Sequence, residues 1–157
     1  MKRIICLLLL LPIVFSLSSC NNPVTEKSDG EPEKSQTQSE KQEKPLKMLI
    51  DGKEFDVLLE DNETAEVFEK SLPMSLLMSE LNGNEKYHYL DYALPNNEQS
   101  VVTVKKGDIM LYGDRCIVVF YKSFVTAYKY TKIGHIENTD QLEEAVGDEN
   151  IIIEFTY

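Results

Sequence analysis

Few side chains in this sequence carry reactive chemistry. The chain has two histidines, His88 and His135, three cysteines, Cys6, Cys20 and Cys116, and, past Arg3, a single arginine, Arg115. A structural zinc site takes four nitrogen or sulfur ligands, and with Cys116 the single cysteine beyond residue 20 the inventory is too thin for one; neither a metal nor another cofactor is expected. There is no glycine-rich phosphate loop: Gly83-Asn84-Glu85 has the composition of a turn, and Gly107-Asp108 leads into an apolar run. Ser123 with either histidine supplies a nucleophile and a base, but no elbow or oxyanion-hole motif surrounds them. Glu143-Glu144 and Asp148-Glu149 lie near a helix end, where solvation accounts for paired carboxylates. No catalytic residue is assigned. What remains is aromatic: Tyr87, Tyr89, Tyr92, Phe120, Tyr121, Phe124, Tyr128 and Tyr130 gather in two segments. The piece from Lys122 to Ala127 breaks strand alternation, which places rings near a rim. Tyr121, Ser123, Phe124 and Tyr128, with Arg115, are therefore the candidate ligand-binding residues. Rings with hydroxyl groups suit a small molecule or a peptide.

A different chemistry marks the start of the chain. Lys2-Arg3 precede an apolar run of 12 residues from Ile4 to Phe15, followed by Ser16-Leu17-Ser18-Ser19-Cys20. A basic start, a short apolar run and small residues make a secretory signal. The run falls well short of the roughly 20 residues of a spanning helix. Leu17-Ser18-Ser19-Cys20 resembles the bacterial lipobox, where cleavage precedes a cysteine carrying a diacylglyceryl thioether, a transfer that needs thiolate nucleophilicity. The expectation is a signal peptide over 1–19, lipid attachment at Cys20, and an exported protein held on a membrane of the bacterial cell envelope. Only Cys116 then remains, so no internal disulfide forms, and its place before Ile117-Val118-Val119-Phe120 suits a small buried apolar residue.

These groups need elements to position them. Of 157 residues, 16 are Lys or Arg and 27 Asp or Glu, a formal net charge of −11. Nucleic acid is not expected as a partner, because that affinity comes from cations displacing counterions. Residues 21–45 hold no aromatic residue and are dominated by Glu, Lys, Ser, Gln, Thr and Asn. Such a stretch buries too little to fold, and with Cys20 it reads as a tether over 20–45. The folded domain is assigned to 46–157.

Within it, Met48 to Val57 forms a hairpin around Asp51-Gly52, with Met48, Ile50, Phe55, Val57 and Leu59 on one face. A helix follows, capped by Asp61 or Asn62, burying Ala65, Phe68 and Leu72 and stopped by Pro73. Ser75 to Leu90 reads as a second hairpin. A turn centred on Asn82-Gly83 sets Glu80 against Glu85, a like-charge pair, so a longer loop is equally compatible. Ile109 to Tyr121 forms a hairpin around Gly113-Asp114. Pairing Leu111 with Cys116 puts Ile109, Leu111, Cys116, Val118 and Phe120 on one face, and Met110, Tyr112, Ile117, Val119 and Tyr121 on the other. Both faces are apolar, so this hairpin is central. Tyr128 to Ile136 is a strand interrupted at Gly134. Thr139 or Asp140 caps a short helix ended by Gly147, and Ile151 to Tyr157 closes as a strand. The pattern is mainly β with two short helices, which suits a small closed barrel; an open sheet backed by helices is the alternative.

Leu59-Glu60-Asp61-Asn62, Leu72-Pro73, Leu81 to Tyr87, Lys106 to Gly113, Phe120 to Phe124 and Tyr128 to Gly134, in that order and spacing, resemble a bacterial cyclophilin-like domain family over almost all of residues 47–157. The resemblance implies a cyclophilin-type β-barrel. It also raises prolyl cis/trans isomerisation as the alternative function. Active cyclophilins stabilise the twisted amide with an arginine in a Phe-His-Arg segment, which this sequence lacks; Arg115, beside a turn, is the only arginine of the mature chain. The reading that follows is a binding domain on a lipid anchor, with a small molecule or peptide as ligand and the membrane as its other partner.

Overall fold

The computed structural model describes residues 45–157. The signal segment, Cys20 and the tether up to residue 44 lie outside the described residues. Strands β1 (Leu46–Ile50) and β2 (Lys53–Leu59) pair Met48 with Phe55 and Ile50 with Lys53. Asp51 and Gly52 both have positive φ, 47° and 77°, the backbone a two-residue turn needs to follow strand twist. Helix α1 (Glu63–Lys70) is capped by Asn62, whose Oδ1 accepts the Ala65 amide at 2.9 Å. Its Phe68 is fully buried and meets Phe155 edge-on at 5.3 Å. Pro73 cannot continue the helix, and β3 (Met74–Leu81) leaves at once.

Strand β4 (Glu85–Tyr89) returns through the three-residue loop Asn82-Gly83-Asn84, with Leu81 opposite Glu85 and Glu80 opposite Lys86. The longer loop replaces a like-charge pair with an opposite-charge one. Short strands β5 (Gln99–Ser100) and β6 (Thr103–Val104) precede the central hairpin of β7 (Asp108–Tyr112) and β8 (Cys116–Phe120). Here the register is one residue away from the sequence expectation: Leu111 pairs with Ile117 and Tyr112 with Cys116, around Gly113-Asp114-Arg115. Ile109, Leu111, Ile117 and Val119 thus enter one core, while Met110, Cys116, Val118 and Phe120 enter another. With apolar residues on both faces, alternation carried no preference between the two registers.

Strand β9 (Phe124–Val125) pairs with β6 as a separate ribbon. Strand β10 (Lys129–Ile136) is bulged between Lys132 and Gly134, which lets it pair with β7 on one side and β2 on the other. A Cβ at Gly134 would stand 2.5 Å from the Leu58 carbonyl oxygen, so this closing contact requires glycine. Helix α2 (Leu142–Val146) starts after Gln141 at φ 62° with no side-chain cap, correcting the assignment of Thr139 or Asp140 as caps, and ends at Gly147. Strand β11 (Ile151–Thr156) inserts between β1 and β3.

The order β2-β1-β11-β3-β4-β8-β7-β10, closed by β10 on β2, is an eight-stranded antiparallel barrel with two helices. Its interior holds the main core, including Met48, Ile50, Met78, Ile153 and Phe155. A second apolar layer lies outside the sheet, where Val104 and Phe124 of the β6–β9 ribbon cover Met110, Val118, Phe120 and Tyr130. The central hairpin is apolar on both faces because it separates these two layers.

Candidate functional site

Alternation along β4 sends Glu85, Tyr87 and Tyr89 outward, opposite Phe120, Val118 and Cys116 of β8. Beyond β8 on the same face come Tyr112 of β7 and Tyr130 of β10, and the ribbon adds Phe124. Together they surround a cleft of about 320 Å³, entered past Leu81, Asn82 and Tyr128. The rings brace one another. Tyr87 and Tyr89 meet edge-on at 5.9 Å, Tyr112 stands 5.8 Å from Tyr128 and 5.7 Å from Tyr130, and Phe120 packs on Phe124 at 5.8 Å. Tyr89 and Tyr128 are exposed at the rim, whereas Tyr130 is buried.

Polar groups concentrate at one end. Glu85 is only 9% exposed and makes no side-chain hydrogen bond or ion pair within the described residues. Burial, with the Glu80 charge adding to it, pushes its carboxyl up to about 7. Asn84 beside it has a buried side-chain oxygen with no donor among the described residues. Burial and the Glu85 charge also raise the Cys116 thiol to about 11, outweighing a hydrogen bond with Tyr89, so at neutral pH this cysteine is an apolar wall and not a nucleophile. Tyr130 rises to about 12 for the same reasons. Among the described residues, no lysine, arginine or histidine lines the cleft. Among the described residues no three His, Cys, Asp or Glu side chains are placed to hold a metal ion.

The sequence-selected residues separate. Phe124 and Tyr128 line the cleft. Tyr121 is buried inside the barrel, where its hydroxyl donates to Glu80 Oε2 at 2.6 Å and the Lys86 ammonium lies 5.4 Å from its ring centre. Ser123 accepts the Lys106 amide at 2.8 Å and braces a loop. Arg115 sits in the exposed β7–β8 turn and donates to the Asp91 carbonyl at 3.1 Å, away from the lining. Glu85, Asn84 and Tyr112 were not singled out as site residues. Their signal was available: once a three-residue loop is placed at 82–84, Glu85 falls in step with Tyr87 and Tyr89 on an apolar face.

A second depression of about 400 Å³ lies over the start of α1. Three of its polar side chains already have partners: Asn62 caps the helix, Thr64 donates to the Pro95 carbonyl at 2.6 Å, and Thr131 accepts the Asn97 amide at 2.8 Å. Of the two, the tyrosine-lined cleft is the one that combines a wall of several aromatic rings with a buried, unpartnered carboxylate side chain.

The model of the Cyclophilin-like family matches residues 48–156, which covers all of the barrel except the first two residues of β1. The chain belongs to the cyclophilin-like family. Solved structures agree on the cyclophilin-like fold. The solution structure of the hypothetical protein AF2241 from Archaeoglobus fulgidus superposes with a TM-score of 0.54 at 21% identity, over 73% of this chain and 98% of that one. The structure of McbB in complex with tryptophan gives a TM-score of 0.55 at 17% identity, over 71% of this chain and 44% of McbB, so the match spans less than half of that protein. A search of curated proteins found no match. At these identities the likeness is one of fold, and function rests on the site.

Proposed function

We propose that this protein is a lipid-anchored binding module of the bacterial cell envelope, whose cyclophilin-like barrel takes a small molecule or a peptide side chain in the tyrosine-lined cleft. The observation that carries the binding role is the 320 Å³ cleft itself, a concave aromatic surface with a few convergent polar groups. The anchor rests on the basic, apolar and Leu17-Ser18-Ser19-Cys20 segments of the sequence. Prolyl isomerisation draws no support from the cleft, whose lining offers no cation to polarise a twisting amide.

The protein has no tryptophan, so indole compounds can be followed against a background of tyrosine emission alone. Titrating the mature protein with tryptamine, tryptophol and indole-3-acetate should give saturable energy transfer from tyrosine to at least one of them, weakened in Tyr112→Ala. Failure of all three at millimolar concentration overturns the binding role. For the anchor, Cys20→Ala should abolish lipid labelling and leave an unprocessed precursor; equal labelling of the variant overturns it.

A further inference from the structure

We propose that the cleft recognises an organic ammonium group, held between the Glu85 carboxylate and the tyrosine faces. The inference rests on the cleft being a binding site and names the class of ligand it takes. Three features converge on a cation. The first is an imbalance of hydrogen-bonding capacity. Glu85 is more than nine-tenths covered by protein, lines the cleft, and has neither a donor nor a counter-ion within the described residues. A ligand entering here gains by bringing positive charge, because a largely covered carboxylate that faces the cleft without a counter-ion costs free energy that a charged donor returns.

The second feature is the wall. Tyr87, Tyr112 and Tyr128 with Phe124 present π-faces and edges around the entrance, and ring faces attract a desolvated ammonium. The third is that, among the described residues, the lining itself contains no lysine, arginine or histidine. Lys86 points to the other side of the sheet and spends its three donors on Glu80, Gly147 and Glu149; Lys122 pairs with Glu143 at 3.1 Å; Arg115 donates to Asp91. None is placed to neutralise Glu85. A carboxylate or phosphate ligand would meet negative charge and no counter-ion. A single carboxylate without further oxygen ligands is also a poor seat for a divalent metal.

Binding is therefore coupled to protons. The groups that act on Glu85 from the packed elements are Glu80 of β3, Cys116 of β8 and Tyr130 of β10, all uncharged or negative. They favour the protonated carboxyl in the empty cleft, and an arriving ammonium favours the ionised one, so binding at neutral pH releases part of a proton. Affinity for a cation should rise as pH rises through 7, while affinity for a neutral analogue should not.

The test holds the indole body constant and varies the charge. In the mature protein at pH 8, tryptamine should bind about tenfold more tightly than tryptophol, with indole-3-acetate the weakest. Tryptamine affinity should fall about tenfold or more between pH 8 and pH 5.5, where its own amine stays charged. Glu85→Gln should bring tryptamine and tryptophol to within about twofold of each other and remove the pH dependence, and Lys122→Ala should change neither. If tryptophol binds the native protein as well as tryptamine, or if Glu85→Gln keeps the tenfold preference, the ammonium assignment falls and the binding role stands. If none of the three indoles binds, both fall. Nα-acetyl-lysine N-methylamide, compared with its Nε-acetylated form, identifies the source of the charge: tighter binding of the unacetylated compound than of tryptamine assigns the site to lysine side chains, and the reverse order assigns it to free amines.

Discussion

Glu85 and Lys86 are neighbours in sequence and opposites in circumstance. Both are buried at the start of β4, but alternation turns Lys86 into the barrel and Glu85 out under the ribbon. Inside, the Lys86 ammonium donates to Glu80 at 2.9 Å, to the Gly147 carbonyl at 2.9 Å and to the Glu149 carbonyl at 2.7 Å, which uses every donor it has. Glu80 in turn accepts from Tyr121 and from the Gly83 amide. Although burial alone would raise its carboxyl, these bonds outweigh that effect and hold it below the ordinary range. The network ties the β3–β4 loop to the segment after α2 and closes that end of the barrel. Outside, Glu85 has none of this. A buried charge with all its bonds made is costly to disrupt, because removing one partner strands the others; one with none made is retained at a cost, and such groups gather at functional sites.

The largest effect expected from breaking this contrast is at Lys86. Lys86→Met removes the cation from a buried network and leaves the Gly147 and Glu149 carbonyls without their donor, and should destabilise the protein by about 3–5 kcal/mol in a denaturant titration. A cost below about 1 kcal/mol would show that the inner network is not a structural clasp. Glu85→Gln should act in the opposite direction and less strongly. Glu85 has its pKa raised from 4.5 to about 7 by burial, so its contribution to stability is complete below about pH 4.5 and is lost as the pH rises through 7. The variant should therefore match the native protein near pH 4 and exceed it by about 1–3 kcal/mol at pH 8. Destabilisation at pH 8 would mean that ionised Glu85 has a partner after all.

The smallest effect is expected at Arg115, which is exposed in its turn and belongs neither to the cleft lining nor to the inner network. Arg115→Ala should shift stability by less than about 0.5 kcal/mol. In a chromogenic proline-peptide assay the native protein and this variant should both stay at background. High isomerase activity destroyed by Arg115→Ala would move the functional centre from the cleft to the β7–β8 turn.

How much of this was legible follows from what each residue had to decide. The Asp51-Gly52 hairpin was readable because two residues with positive φ leave few alternatives, and the start of α1 was narrowed to Asp61 or Asn62 by short-range capping chemistry. The resemblance carried the barrel class, and the family match confirms it. The β7–β8 register was missed because a strand apolar on both faces has no polar marker to show which way it faces. Tyr121 was taken for a rim residue because it stands next to the irregular piece at 122–127, yet it belongs to the interior core with Ile117 and Val119. Phe124 lies in that irregular stretch and Tyr128 directly follows it, and both line the cleft.

The sequence by itself determined local pieces: the Asp51-Gly52 turn, the start and stop of α1, the interruption at Gly134, and the excess of acid over base. Those depend on residues within a turn or a strand of one another. Only the tertiary structure decided that Glu85 and Lys86 would part company. Their placement depends on a loop of three residues rather than two at 82–84, on β8 meeting β4 in one register, and on a ribbon some 20 to 40 residues further along the chain covering one face and not the other. A slip of one residue in any of these pairings exchanges inside for outside along a whole strand. The difference between a satisfied clasp and an open binding cleft is therefore a property of the closed barrel, not of either residue's neighbours in the chain.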